Sequence, residues 1–298
     1  MNTRIALALA ASLLGLGAAG CSSSGGTTTP GAQPRPFDGV THYDEQQRLA
    51  LHGAEESLVA SCMRGRGFDY RPAGLTTGDH RVDANPYGLL TGAQAAADGF
   101  GVISTALDLK PAADPNQAHA GEEPWQAALL GTEAHRVTVD LPDRQQFFYN
   151  DDSCLASARD SLYGPDYFRL FNTFQVLGGK VVAGVRADGR FTAAEARWRD
   201  CMSAAHRPAT HLGDPVAAID QQVEQDGTDP AKTRELIGGE LALAGASARC
   251  QQQAGLADAV ARAQADVERT VLGADQSLLD QLRTLRGRAL VRASHPTS

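Results

Sequence analysis

The chain has 298 residues, 42% of them hydrophobic, and 27 Lys and Arg against 35 Asp and Glu leave a formal charge of −8. That length supplies material for a full hydrophobic core. The acidic balance excludes the basic field that non-specific nucleic-acid binding requires, so no nucleic-acid partner is expected.

Residues 1–20 read as an export signal. Arg4 supplies the positive start, Ile5 to Gly20 carries no charge over 16 residues, and small residues precede Cys21. A bilayer-spanning helix needs about 20 apolar residues, and this stretch is short and interrupted by Ser12, Gly15 and Gly17. From Ser22 to Pro36 the chain is mostly Ser, Gly, Thr and Pro with no apolar period, which predicts a flexible linker after Cys21, over residues 21–36. As a random coil it spans roughly 20 Å. Residues 37–298 are then expected to form the folded domain.

Asp44 to Arg66 has Leu51, Leu58, Val59 and Cys62 at helical spacing, with Gly67 placed to close the helix. Residues 73–122 are rich in Gly, Pro, Asp and Ala and predict a long irregular region with at most short elements. Pro124 to Leu130 predicts a short helix. His135 to Leu141 alternates, with Val137, Val139 and Leu141 on one face, and is the best strand candidate. Asp151, Asp152 or Ser153 can cap a helix carrying Cys154, Leu155, Ala158 and Leu162, which stops near Gly164. Tyr167, Leu170, Phe171, Phe174 and Leu177 make the most aromatic helical face. Thr192-x-x-Glu195 has the spacing of a capping box ahead of Trp198, Cys201 and Met202, and Pro208 marks that helix's end. Asp229-Pro230 opens a helix running to Gly255. A long amphipathic helix, or two joined at Gly273, follows from Leu256. The expected fold is mainly α: a disulfide-stapled helical domain with one or two minor β-strands.

The five cysteines are Cys21, Cys62, Cys154, Cys201 and Cys250. With Cys21 set apart, an even four remain in an exported chain, which reads as two disulfides. Zinc ligation needs close pairs such as C-x-x-C, which are absent from the sequence. Four cysteines allow three connectivities. Nearness in sequence favours Cys62 with Cys154 and Cys201 with Cys250 without excluding the others. Cys201 and Cys250 both fall near helix C-termini, so a tight antiparallel hairpin would separate them, and their pairing requires a parallel arrangement.

Two resemblances follow from short motifs. Leu16-Gly17-Ala18-Ala19-Gly20-Cys21 resembles the lipobox of bacterial lipoproteins, with Ala18 where that family usually has Leu. It implies a diacylglyceryl group on the Cys21 sulfur, cleavage before it, and a membrane partner through that lipid. Cys62-Met63-x4-Phe68-x-Tyr70, Trp198-x-x-Cys201-Met202 and Glu240-Leu241-Ala242-Leu243-Ala244-x5-Cys250 resemble a loose group of exported proteins from high-GC Gram-positive bacteria. Arg outnumbers Lys 24 to 3, which suits GC-rich coding. That resemblance implies that Cys62, Cys201 and Cys250 are framework cysteines, Cys154 fitting by count, and it implies no activity.

Chemical signatures are sparse. Gly178-Gly179-Lys180 lacks the other residues of a phosphate-binding loop, and Gly99-Phe100-Gly101-x-x-Ser104 is a broken dinucleotide fingerprint. His206 and His211 are separated by Pro208, which keeps them off one helix face. Asp151-Asp152 suits a helix cap better than a cation site. Trp198 with Met202 reads as core. Glu240 lies between apolar positions and, if buried, needs a partner such as an Arg. No catalytic residue, metal or cofactor is therefore assigned. The expectation is a lipoprotein on the outer face of the cell membrane that binds an envelope component or a protein partner. The alternative is an envelope hydrolase using acidic residues.

Overall fold

A computed structural model describes residues 33–75, 85–108, 114–226 and 229–295. The expected export signal, Cys21 and the linker as far as residue 32 lie outside the described residues. Among the described residues no helix is long and apolar enough to cross a membrane.

The body begins at Gln33, four residues inside the expected linker. Three long side chains hold it there. Asn85 donates to the Pro34 carbonyl at 2.9 Å, Gln264 to the Arg35 carbonyl at 2.8 Å, and the Phe37 N–H donates to the Glu268 carboxylate at 2.6 Å. Phe37, Asp38 and Gly39 all lie in the left-handed region. This turn drives the Phe37 ring edge-on against Phe174, 5.3 Å between centroids.

Helix α1 (Glu45–Gly65) is capped by the Asp44 carboxylate, which accepts from the Gln47 N–H at 2.8 Å. The irregular region that follows contains the short helices α2 (Gly92–Asp98) and α3 (Val102–Asp108). Its segment 85–91 is fastened by buried amides. Gln251 accepts from the Leu90 N–H and donates to the Gly88 carbonyl, while Gln264 accepts from the Tyr87 hydroxyl. Helix α4 (Glu123–Leu130) matches the short helix expected after Pro124.

Strand β1 (Arg136–Asp140) alternates as its sequence requires, with Val137 and Val139 the less exposed residues. It pairs antiparallel with β2 (Gln146–Asn150), Thr138 facing Phe148. Ser153 then caps α5 (Cys154–Tyr163), accepting from the Ala156 N–H at 2.9 Å. Helix α6 (Tyr167–Ala187) buries Tyr167, Leu170, Phe174, Leu177, Val181 and Val185, an unbroken stripe at helical period. It packs on α7 (Gly189–Ala204), α11 (Leu256–Leu272) and α12 (Gln276–Ser294). A Cβ on Gly184 would stand 2.7 Å from a Val267 methyl carbon, so the missing side chain sets how closely α6 and α11 approach.

The expected capping box at Thr192 and Glu195 does not form. Asp188, one turn earlier, accepts from the Arg190 N–H at 2.8 Å and is further tied to the Arg190 guanidinium, so α7 has begun before Thr192 is reached. Thr192 donates to the Gly189 carbonyl and Glu195 accepts from the Leu212 N–H. Helix α8 (Asp214–Asp226) was not foreseen in the sequence. The helix expected from Pro230 to Gly255 is broken at Leu236 into α9 (Pro230–Glu235) and α10 (Ile237–Ala254). Gly255 ends α10 in the left-handed conformation, and Gly273 separates α11 from α12.

Candidate functional site

The sequence-predicted residues divide into two bridges, a buried carboxylate and a groove. Cys62 of α1 is bonded to Cys154 of α5, and Cys201 of α7 to Cys250 of α10, each pair with Cα atoms 5.6 Å apart. Around the first bridge Val59, Met63 and Trp125 form a small second core. Phe68 and Tyr70 pack on it, Tyr70 and His119 stacking on Trp125 at 6.0 and 5.4 Å. The residues of the Cys62 motif are thus packing residues. Trp198 and Met202 beside the second bridge are fully buried in the main core, as expected.

The second bridge forms without the parallel arrangement that its positions suggested. Arg197 donates to the Ala254 carbonyl at 2.8 Å, Cys201 meets Cys250, and Leu243 shares a groove wall with Ser203 and His206. Moving forward along α7 means moving back along α10, so the two run antiparallel but out of step. The long return through α8 and α9 lets α10 overshoot, which brings both C-terminal halves together.

Glu240 is buried, and its partner is backbone rather than an Arg. One carboxylate oxygen accepts from the N–H groups of Phe100 at 3.0 Å and Val102 at 2.9 Å, and the other from Ile103 at 3.2 Å. These donors belong to the Gly99-Phe100-Gly101 turn and the start of α3, whose first N–H groups have no partner within the helix. What looked like a broken nucleotide fingerprint is therefore a cradle for the chain's own carboxylate. Burial pushes the Glu240 carboxyl above its ordinary range, the three N–H donors pull it back in part, and Asp98 adds to the rise.

Asp152 does not cap α5. It accepts from the Thr132 N–H at 2.9 Å and the Thr132 hydroxyl at 2.8 Å, and those bonds hold its carboxyl below the usual range. Asp151 lies 3.3 Å from His135. Lys180, inside α6, pairs with Asp143 of the hairpin turn at 2.7 Å. Among the described residues no group of three His, Cys, Asp or Glu side chains is arranged to hold a metal ion.

His206 and His211 lie on the connection from α7 to α8, outside any helix, and of the two it is His206 that lines the groove there. His211 stands 3.8 Å from Glu195. His206 adopts φ 57°, with its N–H bonded to the Ser203 carbonyl and the Arg207 N–H to the Met202 carbonyl. This is the left-handed helix stop that usually takes glycine. It turns the chain over a groove of about 680 Å³ lined by Arg199, Ser203, His206, Arg207, Thr210 and Asp214, with Leu243 among its apolar residues. Sequence reasoning missed Arg199 and Arg207, which carry no motif and meet only because α7 stops where it does. No protein-family model matches the sequence, and no match was found among the curated proteins or the solved structures.

Proposed function

We propose that this chain is a lipid-anchored extracytoplasmic lipoprotein whose helical body is a non-catalytic binding module for an envelope component or protein partner. The observation that carries this reading is the use of sulfur. All four cysteines of the body are consumed in two bridges, a pattern of exported proteins, and the one left over directly follows the export-signal sequence. Two or more acyl chains at Cys21 give stable attachment without a spanning helix, and place the body on the outer face of the cell membrane.

The binding role draws support from how the chemical groups are spent. Glu240, the best buried acid, is saturated by backbone donors. Asp214 in the groove accepts from the N–H groups of Thr210 at 2.7 Å and His211 at 2.8 Å. An envelope hydrolase of the acidic type needs two carboxylates facing one substrate bond, and these two acids are turned to backbone.

Intact mass of the protein extracted from membranes tests the reading. The expected mass is that of the chain from Cys21 with a diacylglyceryl addition, and with no free thiol before reduction. A mass retaining residues 1–20 without added lipid overturns it.

A further inference from the structure

We propose that the groove between the end of α7 and the start of α8 is a binding site for a phosphate ester, held by Arg199, Arg207 and His206. The inference rests on the reading of the body as a binding module and gives that module a place and a ligand class. It does not depend on the lipid.

Charge is the first argument. The chain is acidic by 8 formal charges, yet two guanidinium groups and an imidazole line this one groove. Asp214 is the one carboxylate lining it, and it is already engaged by two backbone N–H groups that hold it below the usual carboxyl range. Among the described residues neither Arg199 nor Arg207 has an ion-pair or hydrogen-bond partner for its side chain. Arg159 is matched internally to Glu55, Arg190 to Asp188 and Asp266, and Arg283 to Asp38. Exposed Arg48, Arg64, Arg262 and Arg288 are unpartnered among the described residues too, and what sets Arg199 and Arg207 apart is that both line one groove.

Geometry is the second argument. The helix stop at His206 is built on a residue with a side chain where glycine would be the unstrained choice, and that side chain lines the groove. Ser203 and Thr210 line it as well, so residues with donor side chains come to it from α7, the turn and the α8 entry. A tetrahedral phosphoryl group presents three oxygens to such a surround, and guanidinium forks match them in pairs. Pro208, Ala209 and Leu243 add apolar wall for the carbon side of an ester.

Calorimetric titration of the purified full chain with inorganic phosphate, glycerol 3-phosphate and sulfate tests the site. Sedimentation with phosphatidylcholine vesicles, with and without phosphatidylglycerol, separates a soluble ester from a lipid headgroup as the source. Glycerol 3-phosphate should bind and weaken as salt rises. The R199Q/R207Q variant, altered at two exposed positions and checked for an unchanged circular dichroism spectrum, should lose binding by at least about tenfold. K180Q, at the distant Asp143 pair, should bind as the parent does. Preference for phosphatidylglycerol vesicles that R199Q/R207Q abolishes identifies a headgroup; binding of glycerol 3-phosphate alone identifies a soluble ester. No binding of any phosphoryl probe, undiminished binding by R199Q/R207Q, or equal binding of sulfate overturns the proposal. The mass of the Cys21 peptide, read on the same preparation, reports separately on the anchor.

Discussion

The carboxylate of Glu240 occupies the space that a side chain on Gly99 would need: a Cβ there would lie 2.6 Å from the Glu240 Cγ. Gly99 also has φ 64°, so two requirements meet at one residue. The turn must curl left-handed, and a carboxylate must come close enough to take the N–H groups of Phe100, Val102 and Ile103. Gly99→Ala should therefore destabilise the protein by about 2–4 kcal/mol, through backbone strain and overpacking together. Gly92→Ala is the internal control. Gly92 opens α2 with nothing within 4 Å of its added Cβ, and alanine there should be neutral or stabilise by up to about 1 kcal/mol. Denaturant unfolding of the two variants measures the contrast.

The same carboxylate gives a signed pH dependence. A glutamate whose pKa is raised by folding contributes stability that is complete below its unfolded value of 4.5 and is lost as pH rises through the elevated folded value. Glu240→Gln removes that titration and sets an amide against three N–H donors, at about 1–3 kcal/mol. The stability difference between parent and variant should be widest below pH 4.5 and narrow toward neutrality. Urea unfolding at intervals across that range reads it. A difference that widens with pH would show that the carboxylate is favoured in its ionised form.

The bridges should differ in weight. Cys62–Cys154 closes a separation of 92 residues and Cys201–Cys250 one of 49. Loop-closure entropy then favours the first by about 0.6 kcal/mol, on a base of about 2–5 kcal/mol for losing either. Paired Cys→Ser variants compared by thermal melting give the ranking.

His206 separates stability from binding. Its φ of 57° suits glycine, so His206→Gly should stabilise the protein by up to about 1 kcal/mol. The same change removes a donor from the groove and should weaken glycerol 3-phosphate binding several-fold. A variant that is both more stable and a poorer binder marks His206 as kept for its side chain. One that binds unchanged marks it as an incidental helix stop.

How much of this was legible in the chain depended on the range of the interaction. The stop signals at Gly67, Gly164, Gly255 and Gly273 were readable because a left-handed turn is a property of a few adjacent residues. The stripe from Tyr167 to Leu177 was readable because burial imposes a period on one helix. Capping was less so. Thr91-x-x-Gln94 and Thr192-x-x-Glu195 share a spacing, yet only the first forms the reciprocal box. Near the second, Asp188 had already started the helix, held by an Arg190 that also reaches Asp266 of α11. Strand β2 gave no alternating signal because Phe148 faces solvent at 63% exposure, 4.4 Å beneath the Arg136 guanidinium.

The sequence by itself determined the helical class and that four sulfurs must be accounted for inside the body, since these follow from period and count. Tertiary structure alone decided that α7 and α10 run antiparallel out of step, so that Cys201 meets Cys250. It also decided that Glu240 answers to backbone 137 to 140 residues away, and that Arg199 and Arg207 share a groove. Each of these is a meeting of elements far apart in the chain, fixed by how whole helices bury their apolar faces, and local spacing carries no record of it.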